Sequence, residues 1–433
     1  MMDTVTLSLV FLGVLLLLYA SGIPVALAMG LASVLMMLAP FGPAFNPAII
    51  SNELFYGLNS FGLLALPFYL FLGRIMNKSG LTEVLFDFAG SFVSQMRGGI
   101  AFVNIVASIL FSGMSGLATA DAAGLGRVEY TSMRNRGYDK DFSLGLTGAS
   151  ATIGPIIPPS VPLIIYGVLA EESVGALFLG GVLPGLLLGA VLMAFVFILV
   201  RIRGYERGEP FDLQTSIQSF LKAIPALAIP VIIIGGILQG YFTATEAGAM
   251  AVLYAVLVAT VYGDLTMNEL VIELRDSTVE TFSLTIIISM ATIYGLVALQ
   301  MRIPMLLADT ITAISSDPTV VMLLFMVLFL VVGTFMNVTP SLIILVPILL
   351  PVSQTVGIDP IHLGVLMVLT LTFGLVTPPF GVILFVLEKV TDADLEDTIR
   401  GIAPFYIPML ITLLLIAVVP DIVTYIPYEL MGG

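Results

Sequence analysis

The chain has 433 residues, of which 59% are hydrophobic and 10% are charged, and its mean hydropathy is +1.12. A soluble protein of this length could not bury so much apolar surface, so the composition predicts an all-α polytopic membrane protein surrounded by lipid. The net charge of −14 argues against a nucleic-acid partner, and the lack of cysteine with a single histidine, His362, argues against thiolate and histidine metal centres.

Twelve apolar runs follow one another along the chain, and the first is predicted as a membrane helix, not a signal peptide, because no basic region or cleavage site accompanies it. A polar stretch, 204–220, is predicted as a cytoplasmic linker between a first repeat, 1–203, and a second repeat, 221–433. The runs lie at about 5–20, 22–40, 54–77, 99–127, 142–169 and 174–201 in the first repeat, and at about 221–240, 243–262, 280–302, 320–351, 361–387 and 404–426 in the second. The two sets match at an offset of about 220 positions, which indicates a duplicated fold.

The fourth run of each repeat, 99–127 and 320–351, holds small and polar residues at its middle, at 111–121 and 333–341. The apolar flanks are too short for each to cross a hydrocarbon layer of ~30 Å. We therefore predict two re-entrant helical hairpins, each entering and leaving on one side of the membrane.

The fifth run of each repeat, 142–169 and 361–387, is interrupted by glycine and a proline pair, at 154–160 and 374–381. Proline lacks the backbone N–H and clashes with the preceding turn. Broken helices persist at membrane depth only where the freed backbone groups are buried in protein or line a polar cavity, and paired interruptions indicate a transporter's binding site. A structural kink without function is the alternative.

Each repeat then has five crossing segments, an odd number, so the second repeat must be inverted relative to the first. In this topology all of the 15 basic residues except Arg302 lie on one face, which is predicted to be cytoplasmic, with both termini outside.

Half-helix ends that meet near the membrane midplane offer N–H groups to an anion and carbonyl oxygens to a small hard cation. Side-chain oxygens are available at both interruptions, from Ser112, Ser115, Thr119, Thr152, Ser160, Thr334, Asn337, Thr339 and Thr377.

For several of these polar groups, a purely structural role in packing or helix capping remains open. Ser112 and Ser115 are also typical of close packing between helices. Glu246 is an intramembrane carboxylate by position, but after Thr243 it also fits the first turn of a helix. Asp121 either serves the first tip or caps the returning arm of that hairpin.

The chain resembles the large membrane (M) subunit of tripartite ATP-independent periplasmic (TRAP) transporters, and more distantly the sodium/dicarboxylate symporters of the wider ion-transporter superfamily. The matching motifs span nearly the whole chain in order: Arg-Gly-Gly (97–99), Ser-Gly-Met-Ser-Gly-Leu-Ala-Thr-Ala (112–120), Gly-Tyr-Asp (137–139), Ile-Ile-Pro-Pro-Ser (156–160), Pro-Gly (184–185), Thr-Ala-Thr-Glu (243–246), Gly-Ile-Asp-Pro (357–360) and Thr-Pro-Pro-Phe-Gly (377–381). At the first tip the family often shows Ser-Gly-Ser where this chain has Ser-Gly-Leu (115–117), and near the second an Asp where it has Asn337.

The resemblance implies a sodium-coupled secondary transporter of the bacterial or archaeal cytoplasmic (inner) membrane that works by an elevator mechanism. Its substrate would be an organic anion, a carboxylate such as a C4-dicarboxylate or a sugar acid. A periplasmic binding protein (P-type) would deliver the substrate, and a small four-helix membrane subunit (Q-type) would be the other partner.

Carried over by position, the resemblance also implies two or more sodium ions and one substrate at the tips and interruptions. The sodium ligands would be Met114, Ser115, Gly116, Gly154, Ile156 and Ile157 in the first repeat, and Met336, Asn337, Val338, Val376 and Thr377 in the second. The substrate would lie near Ser115, Thr119, Pro158, Ser160, Asn337, Thr339 and Pro378.

Other functions are open to test. A self-sufficient sodium/dicarboxylate symporter would need no binding protein, and a channel would show uptake without saturation. An intramembrane enzyme would need a nucleophile–base or paired-Asp arrangement, and none stands out in the apolar runs. We therefore predict a transporter and not an enzyme.

Overall fold

The computed structural model describes residues 4–39, 43, 46–208, 210–262 and 265–431. Across these ranges the chain forms 21 α-helices and two short 3-10 helices, and its only β-type pairing is an isolated bridge between Arg97 and Arg207. The all-α prediction is confirmed.

Within the described ranges, the first repeat contains ten α-helices, and the last of them, with 30 residues, is the longest. They are α1 (Thr4–Ala20), α2 (Val25–Leu38), α3 (Pro47–Leu58), α4 (Ala65–Lys78), α5 (Leu81–Val93), α6 (Gly99–Ser115), α7 (Ala118–Asn135), α8 (Lys140–Ala151), α9 (Val161–Ala170) and α10 (Val174–Arg203), with a 3-10 helix at Phe61–Leu64.

Over the described residues, the second repeat has eleven α-helices against ten in the first, because one long helix stands where α3 and α4 are separate and several shorter helices stand where α10 is continuous. It comprises α11 (Leu213–Leu238), α12 (Ala244–Tyr262), α13 (Met267–Gln300), α14 (Ile303–Ile314), α15 (Pro318–Phe335), α16 (Val338–Thr355), α17 (Pro360–Gly374), α18 (Val382–Thr391), α19 (Leu395–Ile402), α20 (Tyr406–Val418) and α21 (Asp421–Met431), with a 3-10 helix at Ala403–Phe405.

Seven helices in the described ranges are long and apolar enough to cross a membrane by length and composition. They are Val174–Arg203, Leu213–Leu238, Ala244–Val261, Met267–Gln300, Pro318–Phe335, Val338–Thr355 and Leu395–Val418, the last being the uninterrupted succession of α19, the 3-10 helix and α20. Six further apolar helices have 10–17 residues. These are the dimensions of a multi-pass membrane protein. The inverted orientation of the repeats and the re-entrant path of the hairpins stay predictions.

The hairpin and interrupted-helix segments are longer than the apolar runs from which they were predicted. Helices α6 and α7 form one hairpin, and α15 and α16 form the other, with two residues between the arms in each case. The returning arms extend past the predicted ends at 127 and 351, because their last turns are polar but still helical. The interruptions separate α8 from α9 and α17 from α18.

Several segments differ from the hydropathy pattern. The run 54–77 is divided between α3 and α4, and the run 404–426 is divided between α20 and α21. The predicted linker, 204–220, is shorter, since α11 begins at Leu213 where Asp212 accepts hydrogen bonds from the N–H groups of Gln214 and Thr215. A side chain that caps the first turn in this way starts a helix.

The two repeats interlock at their cores. Helix α9, which follows the first interruption, packs against α16, the returning arm of the second hairpin. Helix α18, which follows the second interruption, packs against α7, the returning arm of the first hairpin. Each interrupted helix therefore bridges its own hairpin to the hairpin of the other repeat.

Candidate ion and substrate site at the hairpin tips

The first hairpin tip turns within two residues. Helix α6 ends at Ser115, Gly116 takes the left-handed conformation with φ 64°, and Leu117 is extended before α7 begins. Only glycine adopts that conformation at little cost. The tip also touches the first interruption, because a Cβ built on Gly116 would lie 2.4 Å from the carbonyl oxygen of Pro159.

The first interruption, residues 152–160, is buried along its whole length. The backbone N–H of Val161 donates to the carbonyl of Gly116 at 3.4 Å, which joins the interruption to the tip. Ser160 starts α9 by accepting a hydrogen bond from Leu163 N at 3.2 Å, and its hydroxyl donates to the Pro155 carbonyl. Ser160 is thus a capping residue whose side chain is already engaged within the protein.

Asp121 is the functional group at this tip that the sequence prediction did not include among the ligands. The Ser115 hydroxyl donates to one carboxylate oxygen of Asp121. The other oxygen, Oδ2, is buried and has no hydrogen-bond partner, and a Cβ built on Gly154 would lie 2.6 Å from it. Leu117 occupies the N-cap position of α7 and, among the described residues, no side chain caps this helix, so the alternative that Asp121 caps this arm is wrong.

A carboxylate between a hairpin tip and a helix interruption is suited to a small cation. A buried anion without a partner is costly, and a bound cation removes that cost. Glycine at 154 leaves room for Asp121 to approach the backbone. The sequence signal for this residue was its place one turn into the returning arm, as an ionisable group inside an apolar run.

The second tip is built differently. Helix α15 ends at Phe335, and Met336 and Asn337 are both extended before α16 begins. The side-chain oxygen of Asn337 accepts from Val338 N at 2.7 Å, and its carbonyl accepts from the Ser341 hydroxyl at 2.9 Å. The Asn337 amide is therefore turned toward the start of its own helix.

The second hairpin meets its interrupted helix through a pair of glycines. A Cβ on Gly374 would lie 2.2 Å from the carbonyl carbon of Gly333, so the two backbones are in direct contact. In the interruption that follows, the Thr377 hydroxyl donates to the Phe373 carbonyl at 2.9 Å. The Val376 carbonyl already accepts from the Tyr406 hydroxyl at 2.8 Å. Of the groups predicted for the second sodium site, at least these two oxygens have partners within the protein.

The structure brings the first predicted set together more completely than the second. Ser115 and Gly116 lie against the buried interruption that contains Gly154, Ile156, Ile157, Pro158 and Ser160. Thr119 and Thr339 are half-buried in the first turns of α7 and α16, at positions that correspond between the repeats. Thr377 and Pro378 are half-buried, while the neighbouring Phe380 is 57% exposed. The second site is thus the more open of the two.

Two cavities differ in their position relative to the predicted site residues. One of about 390 Å³ lies beside Thr377 and is lined mostly by apolar side chains of α15, α17 and α20. A larger one, of about 720 Å³, lies between α3, α9 and α13, is lined by the carboxylates Glu53, Glu171 and Glu172, and contains none of the predicted site residues. The volume of a cavity alone therefore does not identify the site.

The helix ends supply the site's electrostatics. Four helices (α6, α8, α15 and α17) end at the tips and interruptions, and four (α7, α9, α16 and α18) begin there. Ends carry free carbonyls with partial negative charge, and beginnings carry free N–H groups with partial positive charge. The same region can therefore hold both a cation and an anion.

Two polar residues outside the tips have local structural roles. Thr243 N and the Thr243 hydroxyl donate to the Glu246 carboxylate at 2.8 and 2.9 Å, and Glu246 N donates back to the hydroxyl at 3.3 Å. This confirms that Glu246 belongs to a helix start. The Ser112 hydroxyl donates to the Ile109 carbonyl of its own helix at 2.7 Å.

Comparison with known proteins gives a consistent result. A family profile described as "Tripartite ATP-independent periplasmic transporter, DctM component" matches residues 12–422. The sequence is 41% identical over 413 residues to the sialic acid TRAP transporter large permease protein SiaM of Vibrio cholerae, covering 95% of this chain and 96% of that protein. It is 36% identical over 387 residues to the C4-dicarboxylate TRAP transporter large permease protein DctM of Pseudomonas aeruginosa, covering 88% of this chain and 91% of that protein.

The fold is also similar to a solved structure, that of the YdaH transporter of Alcanivorax borkumensis. The TM-score is 0.67 over 91% of this chain and 96% of that chain, at 13% sequence identity. The two sequence relatives are named as transporter permeases and not as enzymes.

Proposed function

The chain belongs to the DctM component family of tripartite ATP-independent periplasmic transporters, and from that membership we propose that it imports an organic anion together with sodium. It is a TRAP transporter large permease. The carboxylate substrates named for its relatives, sialic acid and a C4-dicarboxylate, support an organic acid as the substrate.

The single observation that carries sodium coupling is the first tip. The Asp121 oxygen without a partner faces Gly154 inside a buried interruption, where the ends of α6 and α8 add carbonyl oxygens. Oxygen ligands and one negative charge suit a hard monovalent cation. The beginnings of α7, α9, α16 and α18 then supply N–H groups for the carboxylate of the substrate.

The packing supports an elevator movement. The two hairpins and two interrupted helices contact one another across the repeats, through α9 with α16 and α18 with α7. A unit that is held together in this way can slide as one body against the remaining helices. In this mechanism the termini face the periplasm, a small Q-type membrane subunit supports the non-moving helices, and a P-type binding protein delivers the substrate.

The test is uptake by the complete transporter in proteoliposomes. The chain is reconstituted with its small membrane subunit, the binding protein is added outside, and uptake of labelled sialic acid and of a labelled C4-dicarboxylate is measured. We expect uptake only with an inward sodium gradient, and equal uptake in potassium buffer would refute sodium coupling. Uptake by this polypeptide alone would instead favour the self-sufficient symporter.

A further inference from the structure

A second polar cluster lies behind the first tip, between the two arms of the hairpin and α8. It consists of Asn104 and Ser108 on α6, Glu129 on α7 and Thr147 on α8, and each of the four is at most 1% exposed. The Ser108 hydroxyl donates to the Glu129 carboxylate at 3.1 Å, and the Asn104 amide donates to the Thr147 hydroxyl at 2.9 Å. Asn104 and Thr147 also lie beside the Glu129 carboxylate.

In the part of the chain that the structure describes, the carboxyl group of Glu129 has no basic partner. Among the ion pairs of the described residues, none involves Glu129. In addition, the side-chain oxygen of Asn104 is buried and has no hydrogen-bond partner. A buried carboxylate is costly unless a cation or a proton neutralises it.

The duplicated fold provides an internal comparison. At the positions 220 residues further on, the second repeat has Leu349 in place of Glu129 and Met367 in place of Thr147, and both are buried. The positions that correspond to Asn104 and Ser108 are leucines that are 38% exposed, Leu324 and Leu328, so the comparison holds only for the other two positions. In the second repeat α16 packs against α17 with apolar side chains, so packing a returning arm against an interrupted helix does not require Glu129 and Thr147.

We propose that Glu129, Ser108 and Thr147 form a third sodium site, distinct from the two at the hairpin tips, and that the Asn104 amide holds the Thr147 hydroxyl in place. Its ligands are a carboxylate and two hydroxyl oxygens, which are the hard donors that such a cation takes. A single carboxylate balances one positive charge, which favours a monovalent ion over calcium or magnesium. The choice of sodium as the ion rests on the proposed function.

The site is separated from the tip along α7. Asp121 and Glu129 lie on one face of that helix, eight residues apart, which corresponds to about 12 Å. Each carboxylate therefore serves a different ion. An ion at Glu129 joins α6, α7 and α8, and so holds the first hairpin to the helix that leads into the interruption.

The experiment is equilibrium binding of ²²Na⁺ to the purified full-length chain with its small membrane subunit, with choline replacing sodium. We expect E129Q, which keeps the shape of the side chain, to bind one sodium ion fewer than the wild type. E129D keeps the charge and retains the number of ions with weaker affinity. E83Q, which neutralises an exposed carboxylate on α5, is the matched control and retains both number and affinity.

Two variants that each remove a hydroxyl provide a second measurement in case E129Q does not fold. S108A and T147V each remove one ligand oxygen, and each should weaken the affinity of the E129Q-sensitive site about fivefold. If E129Q binds as many sodium ions as the wild type with the same affinity, the third site does not exist, and the proposed sodium sites at the hairpin tips are unaffected by that result. An effect of E129Q on proton uptake without any effect on ²²Na⁺ binding also overturns it. If the wild type binds no sodium at all, the proposed sodium coupling fails as well.

Discussion

Replacing Gly116 with alanine tests the contact between the first tip and the first interruption. Gly116 has φ 64°, and a Cβ at this position would lie 2.4 Å from the Pro159 carbonyl oxygen and 3.3 Å from Val161 N. Both neighbours are backbone atoms, so no side chain can rotate away. We expect the tip and the interruption to be forced apart where the first sodium ion binds.

The cost has two parts. A non-glycine residue in the left-handed conformation costs about 1–2 kcal/mol, and overpacking a close contact costs about 1–3 kcal/mol. Together they amount to about 2–5 kcal/mol. If the tip must adopt its present geometry to bind sodium, even 2 kcal/mol raises the sodium concentration for half-maximal uptake about 30-fold.

The assay is sodium-dependent uptake in proteoliposomes by the complete transporter. The matched control is Gly235→Ala, since nothing lies within 4 Å of a Cβ on Gly235 and it sits within helix α11. The control should leave sodium dependence unchanged and stabilise that helix slightly. If Gly116→Ala is produced at normal levels and its half-maximal sodium concentration stays within twofold of the wild type, our reasoning about the tip is wrong.

Three further changes give distinct expectations. Asp121→Asn removes the charge of the first tip and should raise the sodium concentration for half-maximal uptake at least about tenfold, whereas an unchanged value would exclude Asp121 as a ligand. The Tyr205 hydroxyl donates to the Asp139 carboxylate and lowers its pKa, and Arg203 lowers that pKa further. The contact therefore stabilises the folded chain above the ordinary Asp pKa of about 3.9, and this stabilisation is lost as the pH falls through the lowered pKa. Tyr205→Phe should therefore lower the melting temperature more at pH 7 than at pH 3, by an amount worth less than about 1 kcal/mol because the site is exposed. Glu246→Ala should lower the melting temperature by removing its bonds to Thr243, with sodium dependence retained; a changed sodium dependence would give Glu246 a transport role.

The all-helical architecture and the positions of the interruptions were predictable because proline has a local effect. Pro158 and Pro378 disrupt a helix wherever they occur, and apolar runs are detectable without knowledge of neighbours. The helices α5, α14 and α19 were missed. Polar residues interrupt α5 and α19, so neither forms an apolar run, and α14 has only 12 residues, too few to cross a membrane. The division of the run 54–77 follows from Asn59 and Ser60, whose helix-breaking tendency a hydropathy average conceals.

The site was predictable in outline and not in detail. Sequence order and resemblance led to the tips, but the pairing of Asp121 with Gly154 joins residues 33 positions apart and depends on tertiary packing. The same holds for Glu129 and Thr147, which lie on different helices. The close contact between Gly333 and Gly374 was likewise not evident, since a glycine in an apolar helix looks like any other small residue until its neighbour is known.

The packing of each interrupted helix against the hairpin of the other repeat has a consequence for how the chain is inserted into the membrane. Helix α7 finds its neighbour α18 only after about 250 more residues have left the ribosome. Until then the returning arm of the first hairpin, with its two buried carboxylates, lacks that covering surface. Insertion of the N-terminal half into the bilayer is therefore an unfinished step, and a chain truncated before residue 382 should remain a substrate for membrane quality-control proteases even though all of its first repeat has been translated.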